Sequence, residues 1–191
     1  LNRRLNQSIY ITLTDHINFA IERFKERMVF TNPLLNEIKT FYKEEYLVGE
    51  YAVALIERRI GIKLPVDEAG FIALHIVNAE YNTVMRDTID ITNLIQNVVK
   101  IVKEYFSMDL DETSLNYQRF VTHLRFLAQR IIGGEMLNSE NPEFNQLISQ
   151  MYPEEYACSL KLKDYIQVTY HHDVTEEETA YLAVHIKRIR I

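Results

Sequence analysis

The chain has 191 residues, 47% of them hydrophobic, with a formal net charge of −6 and one cysteine, Cys158. The acidic balance disfavours nucleic-acid binding by this segment, because grip on phosphate backbones comes from clustered Lys and Arg. A lone cysteine excludes an internal disulfide and points to a reducing cytosol, while no apolar run approaches the ~18 residues of a membrane span and no signal peptide is present.

Five glycines and four prolines favour long helices over many short strands. From Ser8 to Phe24, Ile9, Leu13, Ile17, Ala20 and Phe24 recur at helical spacing, with Ser8 placed as N-cap. Asn32-Pro33 reads as a cap followed by proline at the first helical position, opening a helix with Leu34, Leu35, Ile38, Phe41 and Tyr42. Gly49 and Gly61 bracket a third helix carrying Ala52, Val53, Ile56 and Ile60. Pro65 opens a fourth, to about Glu80, presenting Phe71, Ile72, His75, Ile76 and Ala79. Residues 82–88 lack an apolar stripe and read as a linker.

The helix predicted from about Ile89 to Phe106 turns Ile91, Leu94, Ile95, Val98, Val102 and Tyr105 inward. Another follows from about Asp111 to Ile132 with Phe120, His123, Leu124, Leu127 and Ile131, and Gly133-Gly134 stops it. Asn141-Pro142 starts the next, and two more cover about 154–170 and 176–189. No segment sustains period-two alternation, so the fold class is all-α.

The chain repeats itself. At an offset of 110, Glu68 pairs with Glu178, Phe71 with Tyr181, Ala73 with Ala183, His75 with His185 and Ile76 with Ile186. Tyr42-Lys-Glu-Glu-Tyr46 matches Tyr152-Pro-Glu-Glu-Tyr156 at the same offset. Asp15-His16-Ile17-Asn18-Phe19 matches Thr122-His123-Leu124-Arg125-Phe126 at 107, where Arg23 also falls on Arg130. Two homologous helical-bundle domains in tandem, 1–84 and 85–191, are the simplest account. The second copy has a helix before its first histidine that the first copy lacks. With Leu1 in place of a starting methionine, the chain reads as a fragment missing that helix.

Each histidine taken alone reads as a core or interface residue with its nitrogens satisfied locally. Recurrence of His16, His75, His123 and His185 at matching positions favours a shared function. Metal binding and a cofactor are not expected: the four stand on separate helices, His171-His172 fall in a loop, and there is no nucleophile elbow or phosphate-binding glycine loop. Glu44, Glu45, Glu154 and Glu155 read as solvated helix-end charges. Histidine can accept a phosphoryl group on a ring nitrogen, gaining a charge of about −1.5 to −2 that needs cationic neighbours. Arg119 lies one turn before His123, Arg188 three residues after His185, and Arg23 and Arg130 two turns after His16 and His123, as candidate phosphate partners.

Four motifs carry a resemblance: Asp15-His16-Ile-Asn-Phe-Ala20, Asp67-Glu-Ala-Gly-Phe-Ile-Ala-Leu-His75-Ile-Val-Asn-Ala-Glu80, Arg119-Phe-Val-Thr-His123-Leu-Arg-Phe-Leu-Ala-Gln-Arg130 and Tyr181-Leu-Ala-Val-His185-Ile186. They resemble the histidine motifs of the tandem phosphotransferase-system regulation domains in bacterial transcriptional antiterminators of the BglG/SacY/LicT type. The resemblance implies a cytoplasmic, homodimeric, sugar-responsive regulator that is not an enzyme. His16 and His75 become sites of inhibitory phosphorylation governed by a sugar-specific Enzyme II, and His123 and His185 sites of activating phosphorylation by the carrier HPr. Leader RNA would be gripped only through an N-terminal domain absent from this sequence. The same module in a DNA-binding transcriptional activator, and a histidine phosphorelay enzyme, are the alternatives.

Overall fold

The apolar stripes and the helices coincide closely in the computed structural model of the chain, which describes residues 3–28, 30–134 and 142–190. Among these residues there are nine helices and no strand: α1 (Ile9–Lys25), α2 (Leu35–Phe41), α3 (Lys43–Ile60), α4 (Asp67–Tyr81), α5 (Met85–Phe106), α6 (Leu115–Gly133), α7 (Pro142–Met151), α8 (Pro153–Tyr170) and α9 (Glu176–Ile189). No helix among them is long and apolar enough to cross a membrane.

The helix ends show where local signals were overridden. Ser8 has helical backbone angles and its side chain caps nothing; its own N–H instead donates to Asn6 Oδ1 at 2.9 Å. Asn32 works as a turn residue before α2, its side chain accepting from the Leu34 N–H while its own N–H donates to Asp67 Oδ1. α6 begins at Leu115, four residues later than expected. Asp111 is drawn into a turn with Thr113, and Ser114 caps the helix by accepting from the Tyr117 N–H. Gly134 takes the left-handed conformation (φ 72°) that ends α6. The expected Asn141 cap lies outside the described residues. The polar stretch at 82–88 is largely helical: α5 already starts at Met85, and Thr88 donates its hydroxyl to Asn78 Oδ1 on α4.

The chain divides into two compact units, 1–92 and 93–191, with the division inside α5 between Thr92 and Asn93. In the first unit α4 is the central element, packed by α1, α2 and α3. Ile9, Ile72, Ile76 and Ala79 form one core cluster, and Ala20, Ile56 and Leu64 another. Gly49, which the sequence placed at the head of α3, lies inside that helix. A Cβ there would stand 2.2 Å from the Ala69 carbonyl oxygen, so the missing side chain is what lets α3 and α4 approach so closely. In the second unit α9 holds the corresponding place, packed by α6, α7 and α8. Its core includes fully buried Phe120, Leu124, Leu127, Ile131, Leu162 and Ile166.

Candidate functional site

Helical spacing puts His16, Phe19 and Arg23 on one face of α1, at i, i+3 and i+7. Glu68, Phe71 and His75 share a face of α4 by the same spacing, and the two faces meet. His16 and His75 lie with ring centroids 4.8 Å apart, and Phe71 packs 5.8 Å from the His16 ring. Behind them sits Glu68, only 4% exposed. Its Oε2 is 2.9 Å from His16 Nε2 and its Oε1 accepts from Arg23 at 2.8 Å. Arg23 is itself held between the rings of Phe19 and Phe30, 4.9 and 4.8 Å from their centroids.

Burial alone would push the Glu68 carboxyl up, but hydrogen bonding and charge from His16 and Arg23 together hold it below its usual range. His75 has no such partner among the described residues. Burial, helped by the charge of His16, brings it down to about 4, so it is neutral at neutral pH.

The second unit repeats the arrangement on α6 and α9. His123, Phe126 and Arg130 face Glu178, Tyr181 and His185, with the two histidine rings stacked at 4.5 Å. Arg130 donates to Glu178 Oε1. Here the carboxylate stands back: Glu178 Oε2 is 3.7 Å from His123 Nε2, too far for a hydrogen bond, and both atoms are buried without one among the described residues. Burial of the fully enclosed Glu178 therefore outweighs Arg130 and pushes its carboxyl up. Burial, then the charges of His185 and Arg130, brings His123 down to about 3, and burial with the Arg188 charge lowers His185.

The four histidines singled out in the sequence thus come together as two pairs. The arginines divide. Arg23 and Arg130 are committed to the buried carboxylates, whereas Arg119 and Arg188 are exposed and, among the described residues, make no ion pair with a carboxylate. Glu68 and Glu178 are the residues of this candidate site that sequence reasoning did not single out. The available signal was their recurrence seven residues before each second histidine.

The paired glutamates need one correction. Glu44 and Glu154 are solvated, but Glu45 and Glu155 are buried. Arg3 reaches Glu45 and Glu80 in the first unit, and Arg190 reaches Glu155 in the second. Arg190 occupies the repeat position of Glu80 (80 + 110), so the two copies satisfy the same buried carboxylate from different places in the chain. Among the described residues no group of three or more His, Cys, Asp or Glu is placed to hold a metal ion.

The PRD domain model matches residues 1–79 and 96–189, and the chain belongs to this family, carrying two copies in tandem. That makes it a regulatory module, not an enzyme. It is 44% identical over 189 residues to the transcription antiterminator LicT of Bacillus subtilis (strain 168), covering 99% of this chain and 68% of that protein. It is 42% identical over 190 residues to the beta-glucoside operon antiterminator of Dickeya chrysanthemi, covering 100% and 67%. Protein GlcT of Staphylococcus saprophyticus is 35% identical over 181 residues, covering 95% and 64%.

Proposed function

We propose that the chain is the sugar-responsive regulatory module of a bacterial transcriptional antiterminator, switched by reversible phosphorylation of its paired histidines. Phosphorylation at His16 or His75, governed by a sugar-specific Enzyme II, turns the output off; phosphorylation at His123 or His185 by HPr turns it on. The observation that carries this reading is the recurrence, in both units, of two histidines in ring contact backed by a buried Glu–Arg pair. The kinship with proteins named antiterminators sets the kind of output. With a net charge of −6, the module sets the state of the regulator and leaves the RNA contact to other parts of it.

The proposed action is on a homodimer, in the cytoplasm. α1 exposes the large apolar side chains Tyr10, Ile11 and Phe19, which supports assembly through this helix. A twofold interface sets each patch against its own copy, so a phosphate near the axis meets a second one. Two dianions about 8 Å apart in an effective dielectric of about 20 repel by roughly 8 kcal/mol before screening. Even a third of that shifts a two-state assembly by about two orders of magnitude. Arg119 and Arg188, exposed near the second pair, supply the opposite response by receiving phosphate there.

The test is phosphotransfer to the purified chain, from HPr and from Enzyme II, with His→Ala at 16, 75, 123 and 185. Acid-labile phosphate that disappears with the matching substitution is the expected result, and its absence from all four histidines would refute the assignment. Sedimentation of the His123→Asp and His185→Asp variants tests the dimer step, which fails if assembly is unchanged.

A further inference from the structure

We propose that Glu68 fixes His16 in the tautomer protonated on Nε2, so that phosphoryl transfer to this residue forms its bond at Nδ1, with Glu68 as a positioning residue. The inference rests on the phosphorylation reading above and adds which atom reacts and which side chain prepares it.

The geometry places a proton on Nε2, and in the neutral ring that decides the tautomer. An ionised carboxylate accepts hydrogen bonds and donates none, so the 2.9 Å contact from Glu68 Oε2 requires a proton on the nitrogen it faces, Nε2. Turning the ring over would present a C–H to a buried charge and abandon a charge-assisted bond. Glu68 cannot move away to relieve this, because Arg23 holds its other oxygen at 2.8 Å and is itself clasped by Phe19 and Phe30. In the neutral ring the lone pair then resides on Nδ1, which has no hydrogen-bond partner among the described residues, on a side chain that is 15% exposed. A phosphoryl group on Nε2 would instead be pressed against the buried Glu68 charge. The lowered Glu68 pKa agrees, since the group stays an acceptor through neutral pH.

The second copy supports the same orientation from a different observation. His123 Nε2 is buried, lies 3.7 Å from Glu178 Oε2 and has no hydrogen-bond partner among the described residues, so its burial closes that nitrogen to a phosphoryl donor. The gap of 3.7 Å distinguishes the copies: the first is already locked, the second is aligned and unlocked. The orientation of a histidine by a carboxylate on its far nitrogen is a general device for setting tautomer and basicity.

The step balances without acid or base. The bond between phosphorus and the donor's phosphorylated side chain breaks, and its electron pair returns to the donor atom. The Nδ1 lone pair of His16 forms the new N–P bond. No proton leaves His16: the ring keeps Nε2–H and becomes an N-phosphoryl imidazolium, whose positive charge Glu68 meets directly. Glu68 never touches the phosphoryl group.

The experiment uses the native chain, uniformly labelled with ¹⁵N. Long-range ¹H–¹⁵N spectra of the unmodified protein read the His16 tautomer, and ³¹P–¹⁵N coupling after treatment with phosphorylated HPr, or with phosphorylated Enzyme II for the first unit, reads the linked atom. The expected result is Nε2–H before reaction and phosphate on Nδ1 after it. Glu68→Gln should mix the tautomers and slow transfer to His16 at least tenfold, with transfer to His123 unchanged as an internal control. A His16 ring protonated on Nδ1, phosphate on its Nε2, or a Glu68→Gln variant with unaltered tautomer and rate overturns this inference alone. No phosphate on His16 from either donor overturns it together with the phosphorylation reading of that site.

Discussion

Acidification should destabilise the first unit through His75 by an amount the structure sets. Burial against α1, with His16 4.8 Å away, holds the His75 ring down to about 4, against 6.5 for the open chain. Above pH 6.5 the ring is neutral in both states and contributes nothing. Between 6.5 and about 4 the unfolded chain binds a proton that the folded unit refuses, so stability falls as pH falls. At about pH 5, roughly 1.5 units into that window, the loss is about 2 kcal/mol at about 1.36 kcal/mol per unit. Glu68 has the opposite chemistry and the same sense, its stabilisation being present above the unfolded carboxylate range and lost only further down.

Thermal melts of the native chain and of His75→Gln, at about pH 7.5 and about pH 5, isolate the histidine. The native first unit should lose roughly 10 °C more than the variant between the two conditions, taking about 4–8 °C per kcal/mol for a unit of this size. If the pH dependence of the two proteins agrees within about 0.5 kcal/mol, His75 takes up its proton while folded and the reasoning fails.

Gly49→Ala adds a Cβ 2.2 Å from the Ala69 carbonyl oxygen, so α3 must withdraw by about 1.2 Å to regain an ordinary 3.4 Å contact. Overpacking of about 1–3 kcal/mol then outweighs the ~1 kcal/mol of helix propensity gained, and chemical denaturation should show a net loss. Gly133→Ala, with open space around its Cβ at the end of α6, should be neutral or stabilise by up to ~1 kcal/mol in the same assay. Arg190→Leu leaves buried Glu155, among the described residues, with the more distant Lys187 alone, and removes the guanidinium lying 3.8 Å over Phe106. A loss of about 3 kcal/mol from the second unit should appear in its melting transition. Arg3→Ala strands Glu45 in the same way, and adding Glu80→Arg, which copies the placement of Arg190, should restore at least half of the lost stability; no recovery would show that the copies are not interchangeable there.

Much of this protein is determined by information local to the chain. An apolar stripe repeats every turn whatever lies across from it, so the helices, the all-α class and the internal repeat followed from spacing alone, as did the equivalence of His16 with His123 and His75 with His185. Tertiary structure decided what those residues meet. Gly49 looks like a helix boundary until the Ala69 backbone is seen against it, and Glu45 looks like a solvated charge until Arg3 closes over it. Arg23 and Arg130 lie two turns from the first histidines and could face any anion; the fold commits them to Glu68 and Glu178, 45 and 48 residues away. The difference between a 2.9 Å hydrogen bond at His16 and a 3.7 Å gap at His123 has no counterpart in the motifs, which are the same in both copies at these positions. Periodicity tells which face of a helix a side chain occupies. The distance between two side chains on different helices depends on how those helices pack, and that is set by the whole core at once.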